Sequence, residues 1–372
     1  MCLMKSMGHP ERSVLRVAAE ASAAVGSGRR SATPPAADDE DVRISPSQPA
    51  AAGGRLRVVG TLVDFLLLAV LAVLLPARWL LPADVLLVDI VSAFTLQYAV
   101  LALVMALWSA WRRNGLRCIA FLLLLAPDLV TVAGYRSPGV EVDRVLGRVY
   151  SANLGEDPGA VSLAIAELRE LDADLIWLTE FPESLPPETA AELARLERDY
   201  PYGFARPATE GRSLHFLSRF PVRAREVFNP QRAPGRPALR LALDVRGVAL
   251  TVFALHTHPP AASWSLAARN QTLTWVEQSL AALQGDALVI GDLNTSAFSP
   301  RFRALVDRGG LQCGSPWHCA RPSWPAWLPL FATPIDHVLA RGDVVIRDLR
   351  RGRRTGSDHF PIVAELGYRR ID

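Results

Sequence analysis

Apolar positions along this chain fall into two regimes that meet near residue 135. Before that point they run together at 58–75, 85–108 and 116–133, the last run interrupted by Pro127 and Asp128. A bilayer core takes roughly 20 mostly apolar residues of helix, so these runs predict three transmembrane helices. After about residue 145 the apolar positions alternate between strand and helix periods. Strands are predicted at 148–152, 175–178, 215–217, 239–245, 249–255, 287–290, 335–339, 344–347 and 362–366. Helices are predicted at 158–171, 188–198 and 263–283. The first has Asp157 as N-cap, Pro158 at its first position, and an apolar face of Val161, Ala164, Ile165, Leu168 and Leu171. Short strands mixed with helices predict an α/β (α+β) domain of two sheets with helices outside.

The chain thus divides into a tail (1–54), a membrane anchor (55–135) and a large domain (145–372). The tail is rich in Ala, Ser, Pro and Gly, has no apolar period and predicts disorder. It lacks the short apolar core that follows a basic start in a signal peptide. Arg55 and Arg57 precede the first run, Arg112, Arg113 and Arg117 fill the second connection, and the first connection holds only Arg78. Positive charge stays on the cytoplasmic side. This places the N-terminus in the cytoplasm and, with three crossings of the cell membrane, the large domain outside the cytoplasm. If the third run does not cross, that domain falls inside. Each run carries one acid, Asp64, Asp89 or Asp128, which costs roughly 2.5–3.5 kcal/mol at a helix centre. Asp89 and Asp128 are expected near the outer face, hydrated and within reach of Arg78 and Arg136.

Composition narrows the function classes. Half of the 372 residues are hydrophobic and the formal net charge is +3. From Val145 onward there are 26 arginines against 25 acidic residues, which is not the basic face of a duplex-binding module. Cys313 and Cys319 lie in C-G-S-P-W-H-C, where only His318 adds a ligand, too few for zinc. A local disulfide, suited to an oxidising compartment, and two buried thiols both remain open.

Candidate chemistry sits where strands end. Asn153 follows the first strand and Glu180 the second; His256 and His258 end the 249–255 strand. Asp292 and Asn294 follow the 287–290 strand, where Gly291 is expected to turn the chain sharply. Asp336 opens I-D-H-V-L, and Asp358 and His359 precede the last strand. Acids, amides and imidazoles converging at strand ends suit metal and phosphate chemistry.

With these residues the sequence resembles the endonuclease/exonuclease/phosphatase superfamily. The resemblance rests on V-Y-S-A-N, L-I-W-L-T-E, F-L-S-R-F-P, L-H-T-H-P, V-I-G-D-L-N, I-D-H-V-L and G-S-D-H-F-P, in that order over about 146–366. It implies a four-layer αββα sandwich with the active site at one end. It also implies a metal-dependent phosphoesterase that cleaves phosphodiesters by in-line attack of an activated water. His359 would accept the water proton, oriented by Asp336, or Asp292 would position or deprotonate that water. Asn294 would hydrogen-bond the phosphate. Glu180 would anchor the cation, Asn153 would add an amide oxygen to it or hold the phosphate, and Asp358 would be a second ligand. A hard oxygen set favours Mg²⁺, with Mn²⁺ as an alternative. The family pattern Asn-Thr-His-Leu stands here as His256-Thr257-His258-Pro259. In that frame His258 stabilises phosphate or protonates the leaving oxygen and His256 replaces the amide; strand alternation puts both on one face, so either could serve.

Arg236 or Arg240 would supply a guanidinium for phosphate, against the plainer reading of surface arginines. Arg350–Arg354 reads either as a loop gripping anionic groups or as a solvated turn. Trp317, Trp324 and Trp327 read as stacking, interfacial or packing residues. The substrate class is nucleic acid or phospholipid, the other partner is the bilayer, and no protein partner is implied. The rival reading is a catalytically silent membrane receptor or scaffold of the same fold that binds a phosphorylated ligand.

Overall fold

A computed structural model describes residues 60–73, 80–135, 142–206, 213–230 and 236–369 of the chain. The tail and Arg55, Arg57 and Arg78, part of the orientation argument, lie outside the described residues, as do Arg136 and the side chain of Asp128. The first sheet contains β1 (Val142–Asn153), β2 (Leu175–Phe181), β3 (Phe204–Arg206), β4 (Ser213–Ser218), β10 (Val344–Arg351) and β11 (Ile362–Arg369). The second contains β5 (Val222–Phe228), β6 (Ala238–Val245), β7 (Val248–His256), β8 (Asp286–Asp292) and β9 (Asp336–Arg341). Strand order is β10-β11-β1-β2-β4-β3 in one sheet and β5-β6-β7-β8-β9 in the other.

Each sheet is mixed, with one parallel pair. β1 pairs parallel with β2 and β7 with β8, and all other neighbours are antiparallel. The parallel pairs need long crossovers, supplied by α5 (Pro158–Leu171) and α7 (Ser263–Ala282). The expected face of α5 is buried at Val161, Ala164, Ile165, Leu168 and Leu171, and Asp157 caps the helix by accepting from the Gly159 amide at 2.8 Å.

Alternation along the strands sends one set of side chains between the sheets. Trp177 and Phe216 of the first sheet share a core with Leu241, Val252, Ile290 and Val338 of the second. The opposite faces pack helices. α5 and α6 (Pro187–Glu197) cover Tyr150 and Ile176, and α7 and α8 (Pro300–Gly309) cover Phe253 and Val289. The layering is helix, sheet, sheet, helix, as expected. Cys313 and Cys319 form a disulfide, buried under the second sheet.

The apolar segment departs from expectation. It holds α1 (Gly60–Val73), α2 (Leu86–Ala93), α3 (Thr95–Trp111) and α4 (Gly115–Gly134). Among the described residues no single helix is long and apolar enough to cross a membrane; α2 and α3 together are, but they are bent by 59°. The second run is therefore two helices broken at Phe94, not one. Ser92 turns its hydroxyl back to the Val88 carbonyl and Thr95 donates to the Ser92 carbonyl, side-chain bonds that favour a bend here. α1, α3 and α4 pack around Leu71, Ala102, Met105 and Phe121. Asp64 near the start of α1 pairs with Arg117 at the start of α4, at 3.0 Å.

Asp89 is not hydrated at a membrane face. It is buried against the large domain, with its two oxygens 2.7 and 2.8 Å from the guanidinium nitrogens of Arg269 on α7, and Ser299 Oγ donates to it at 3.2 Å. Arg269 is itself buried and also donates to the Asn294 carbonyl at 2.8 Å. A bidentate pair of this kind fixes α2 in orientation as well as in position. Breaking a buried pair leaves an uncompensated charge and costs about 3–5 kcal/mol, whereas replacing both partners with apolar groups is often neutral. Asp89→Ala is expected to lower unfolding free energy in detergent by about that amount, and Asp89→Leu with Arg269→Met to recover most of it. Denaturant titration of the full chain measures both.

Candidate active site

The site lies where the carboxyl ends of the two parallel pairs meet. β1 delivers Asn153 and β2 delivers Glu180; β7 and β8 deliver His256 and Asp292, which are register partners. Gly291 does not turn the chain, since β8 continues to Asp292. Its φ is +123°, and a Cβ there would come within 2.0 Å of the Leu255 carbonyl oxygen. The glycine lets β8 press against β7 one residue before the acid. Trp177 from the other sheet donates its indole N–H to the same carbonyl at 3.0 Å.

Asn153 Nδ2 donates to Asp292 Oδ2 at 3.2 Å, a bond from sheet to sheet. Asp292 Oδ1 accepts from the Asn294 amide at 2.9 Å, and Asn294 Nδ2 donates to the Thr257 carbonyl at 3.0 Å. Glu180 and Asn294 both have positive φ, 46° and 45°. Such residues cost of order 1 kcal/mol and gather at functional sites. Glu180 is tied by its carbonyl, which accepts from the Glu156 amide at 2.7 Å.

His359 Nδ1 is 2.8 Å from Asp336 Oδ2, with the pair buried. Ser323 Oγ accepts from the Asp336 amide at 3.1 Å, and Ser357 Oγ accepts from the His359 amide at 3.1 Å while donating to the Asn153 carbonyl at 2.8 Å. Nδ1 is thereby committed to Asp336, which leaves Nε2 for chemistry. Burial opposes the charge on His359, but Asp336, and behind it Asp292 and Asp358, raise its pKa to about 9. Burial and then the charge of Asp336 raise Asp292 to about 7. Burial opposes ionisation of Asp336 too, yet His359 and Ser323 hold it below the usual carboxylate range. In Glu180 burial is outweighed by the His256 hydrogen bond and the nearby Arg236 and His359, which bring it to about 2.

A cavity of about 410 Å³ joins most of the expected residues, being lined by Asn153, Glu180, Arg236, Asp292, Asn294, Asp358 and His359. Asp336 stands behind His359 and His256 beside Glu180, 3.1 Å from its Oε1. Arg236 is buried in the site rather than on the surface, donating to Glu180 Oε1 at 3.1 Å and to the Thr257 carbonyl at 2.8 Å, with Nη1 also against His256 Nε2.

Other expected residues fall elsewhere. Arg240 pairs with Glu226 at 3.5 Å, away from the cavity lining. β7 ends at His256, so strand alternation does not carry to His258, whose ring lies edge-on to Trp264 at 5.9 Å. The arginine-rich turn also faces elsewhere: Arg353 pairs with Glu170 of α5, and Arg351 lies over the Phe360 ring at 4.5 Å. Trp324, by contrast, lines the cavity and donates through Nε1 to Asp358 at 2.9 Å, while Trp317 and Trp327 are exposed.

Sequence reasoning did not reach Ser323, Ser357 or Arg269, nor the wall that α2 contributes through Asp89, Ile90 and Ala93. The serines follow only from hydrogen bonds. The Asp89–Arg269 contact, 180 residues apart, has no local signature.

Asp292, Asp336 and His359 each offer a ligand atom, all within 4.8 Å of one another, and form a candidate metal site. Of the ligands expected from sequence, Asn153 and Glu180 reach the same cavity, but Glu180 Oε1 is held by His256 and Arg236, and Asp358 is exposed and bonded to Trp324. The donors fit a hard cation. They are mainly carboxylate oxygens, and the raised pKa of Asp292 reflects first its burial and then the charge of Asp336, both of which a cation offsets.

Residues 149–359, more than half of the chain, match the Endonuclease/Exonuclease/phosphatase family. The chain belongs to this family. It is a hydrolase of the phosphodiesterase and phosphatase type. Among solved structures it is similar to an endonuclease/exonuclease/phosphatase from Beutenbergia cavernae, at 20% identity over 60% of this chain and 71% of that one, TM-score 0.48. It is also similar to a D. rerio TDP2 humanized by 14 mutations, at 17% identity over 59% and 98%, TM-score 0.46. A third is a Bacteroides thetaiotaomicron mannosyl-6-phosphatase, at 17% identity over 59% and 99%, TM-score 0.45. No curated protein sequence matches.

Two outcomes test this geometry. Gly291→Ala is expected to destabilise the chain by roughly 2–4 kcal/mol through overpacking and strain, measured by denaturant unfolding. The folded pKa of His359, about 9, lies above its ordinary 6.5. Its bond to Asp336 therefore contributes stability in full below about pH 6.5 and loses it as pH rises through about 9. In chelator, the stability gap between wild type and His359→Gln is expected to narrow over that window.

Proposed function

We propose that the chain is a membrane-anchored, Mg²⁺-dependent phosphoesterase that cleaves phosphodiesters by in-line attack of water. The observation that carries this is the convergence of Asn153, Glu180, Asp292, Asn294 and His359 on one cavity. Asp292, with a pKa near neutrality, is matched to accept a proton from water at working pH. His359, held cationic by Asp336, directs Nε2 to the phosphate and stabilises charge on its oxygens. Asn294 adds an amide donor, and the Arg236 guanidinium adds positive charge beside Glu180. A bound Mg²⁺ would supply further charge to the non-bridging oxygens and acidify water; the carboxylates of Asp292 and Asp336 would hold it, and Glu180 and Asn153 lie beside them.

The membrane part of this reading rests on the apolar helices. α1, α3 and α4 form a bundle whose outer positions stay apolar, including Leu66, Val73, Leu107, Leu123 and Val130. Arg112, Arg113 and Arg117 sit at the α3–α4 connection, on the side we assign to the cytoplasm. The Cys313–Cys319 disulfide supports an extracytoplasmic position for the catalytic domain.

The full chain in nonionic detergent is expected to hydrolyse bis(p-nitrophenyl) phosphate with Mg²⁺ and to lose that activity in chelator. His359→Ala is expected to lower kcat by about 100- to 1,000-fold, the loss of one charge-stabilising donor. Equal rates with and without chelator overturn the metal-dependent reading. Tight binding of a phosphorylated ligand without turnover supports the receptor reading instead.

A further inference from the structure

The catalytic cavity has two kinds of lining. One carries the acids, amides and imidazole described above. The other is apolar and comes largely from α2, through Ile90, Ala93 and the adjoining Phe94, with Pro259 and Ile335 beside them. α2 is held there by the buried Asp89–Arg269 pair, and Arg269 also bonds the carbonyl of Asn294. The apolar wall and the phosphate-binding amide therefore share one anchor point. Gln97, near the start of α3, donates to the carbonyls of Leu330 and Ala332 at 3.4 and 3.0 Å, which brings the 324–333 loop against the same break. That loop exposes Leu330 at 84% and Trp327 at 64%. Exposed apolar groups gathered beside a cavity mark a binding surface.

Charge points the same way. Among the described residues that line the cavity, Arg236 is the one basic side chain other than His359, and it is already bonded to Glu180. A polyanionic strand needs several phosphate contacts; no residue of the Arg350–Arg354 turn lines the cavity, and Arg353 of that turn pairs with Glu170 of α5. The cavity instead suits one phosphate joined to a hydrocarbon group.

We infer that Ile90, Ala93 and Phe94 form a hydrocarbon subsite of the active site, and that the substrate is an amphiphilic phosphoester whose apolar portion lies against α2. This rests on the phosphoesterase reading. The helix that leads into the membrane bundle is then a specificity element of the enzyme, and the substrate reaches the acids from an apolar surface.

The test uses the full chain in nonionic detergent with Mg²⁺ and a series of alkyl p-nitrophenyl phosphates from methyl to octyl. kcat/KM is expected to rise at least about tenfold along the series, the equivalent of burying about two methylenes. Ile90→Gln and Ala93→Gln are each expected to cut the octyl-to-methyl ratio by at least about threefold. Phosphatidylcholine in mixed micelles and a polyprenyl phosphosugar, both phosphodiesters, distinguish two sources of the same chemistry, and turnover of either supports the subsite. A flat series with intact methyl ester hydrolysis overturns the subsite and leaves the phosphoesterase reading standing. A single-stranded oligonucleotide cleaved more efficiently than the octyl ester also overturns it. No hydrolysis of any substrate removes both readings.

Discussion

The hydrogen bond from Asn153 to Asp292 joins the rims of two separate sheets, and the rest of the site is placed around it. Its length is set by what lies beneath. Trp177 and Phe216 from one sheet and Val252 and Ile290 from the other fill the space between the layers, so the sheets neither approach further nor slide. Trp177 also bonds across the gap to the Leu255 carbonyl, one residue below His256. A close-packed interior transmits strain, and here it holds a buried carboxylate at a fixed distance from an amide and an imidazole. Preorganised charge of this kind acts on a transition state without rearranging during the reaction.

Much of this was legible in the sequence because strand alternation and helix caps are local. Asp157 and Pro158 mark the start of α5, and the buried face of that helix follows its apolar spacing residue by residue. Acids and amides after short apolar runs marked the strand ends correctly at Asn153, Glu180 and Asp292. Locality also explains what was missed. β5 is an edge strand with five consecutive exposed positions, so it shows no alternation of burial. α8 carries a Ser299 cap, Pro300 at its start and a left-handed Gly310 at its end, signals present in the chain but weak in isolation. Arg236 reads as a surface residue until the fold carries it to Glu180.

The acids of the apolar segment show the limit of a one-dimensional reading. Asp64 and Asp89 look alike in sequence, each a carboxylate inside a hydrophobic run. Asp64 pairs within the helical bundle, with Arg117; Asp89 pairs outside it, with Arg269 of the catalytic domain. One stabilises helix against helix and the other helix against enzyme. The bend at Phe94 separates those two roles, because α2 follows the domain while α3 follows the bundle.

Docking of α2 also bears on how such an enzyme is taken apart. A fragment cut at the start of β1 retains every acid, amide and imidazole at the sheet rims. It would nonetheless carry a stranded guanidinium at position 269 and a cleft open along one flank. Kinetic constants from that truncated protein would describe a site with one wall of its cleft replaced by water.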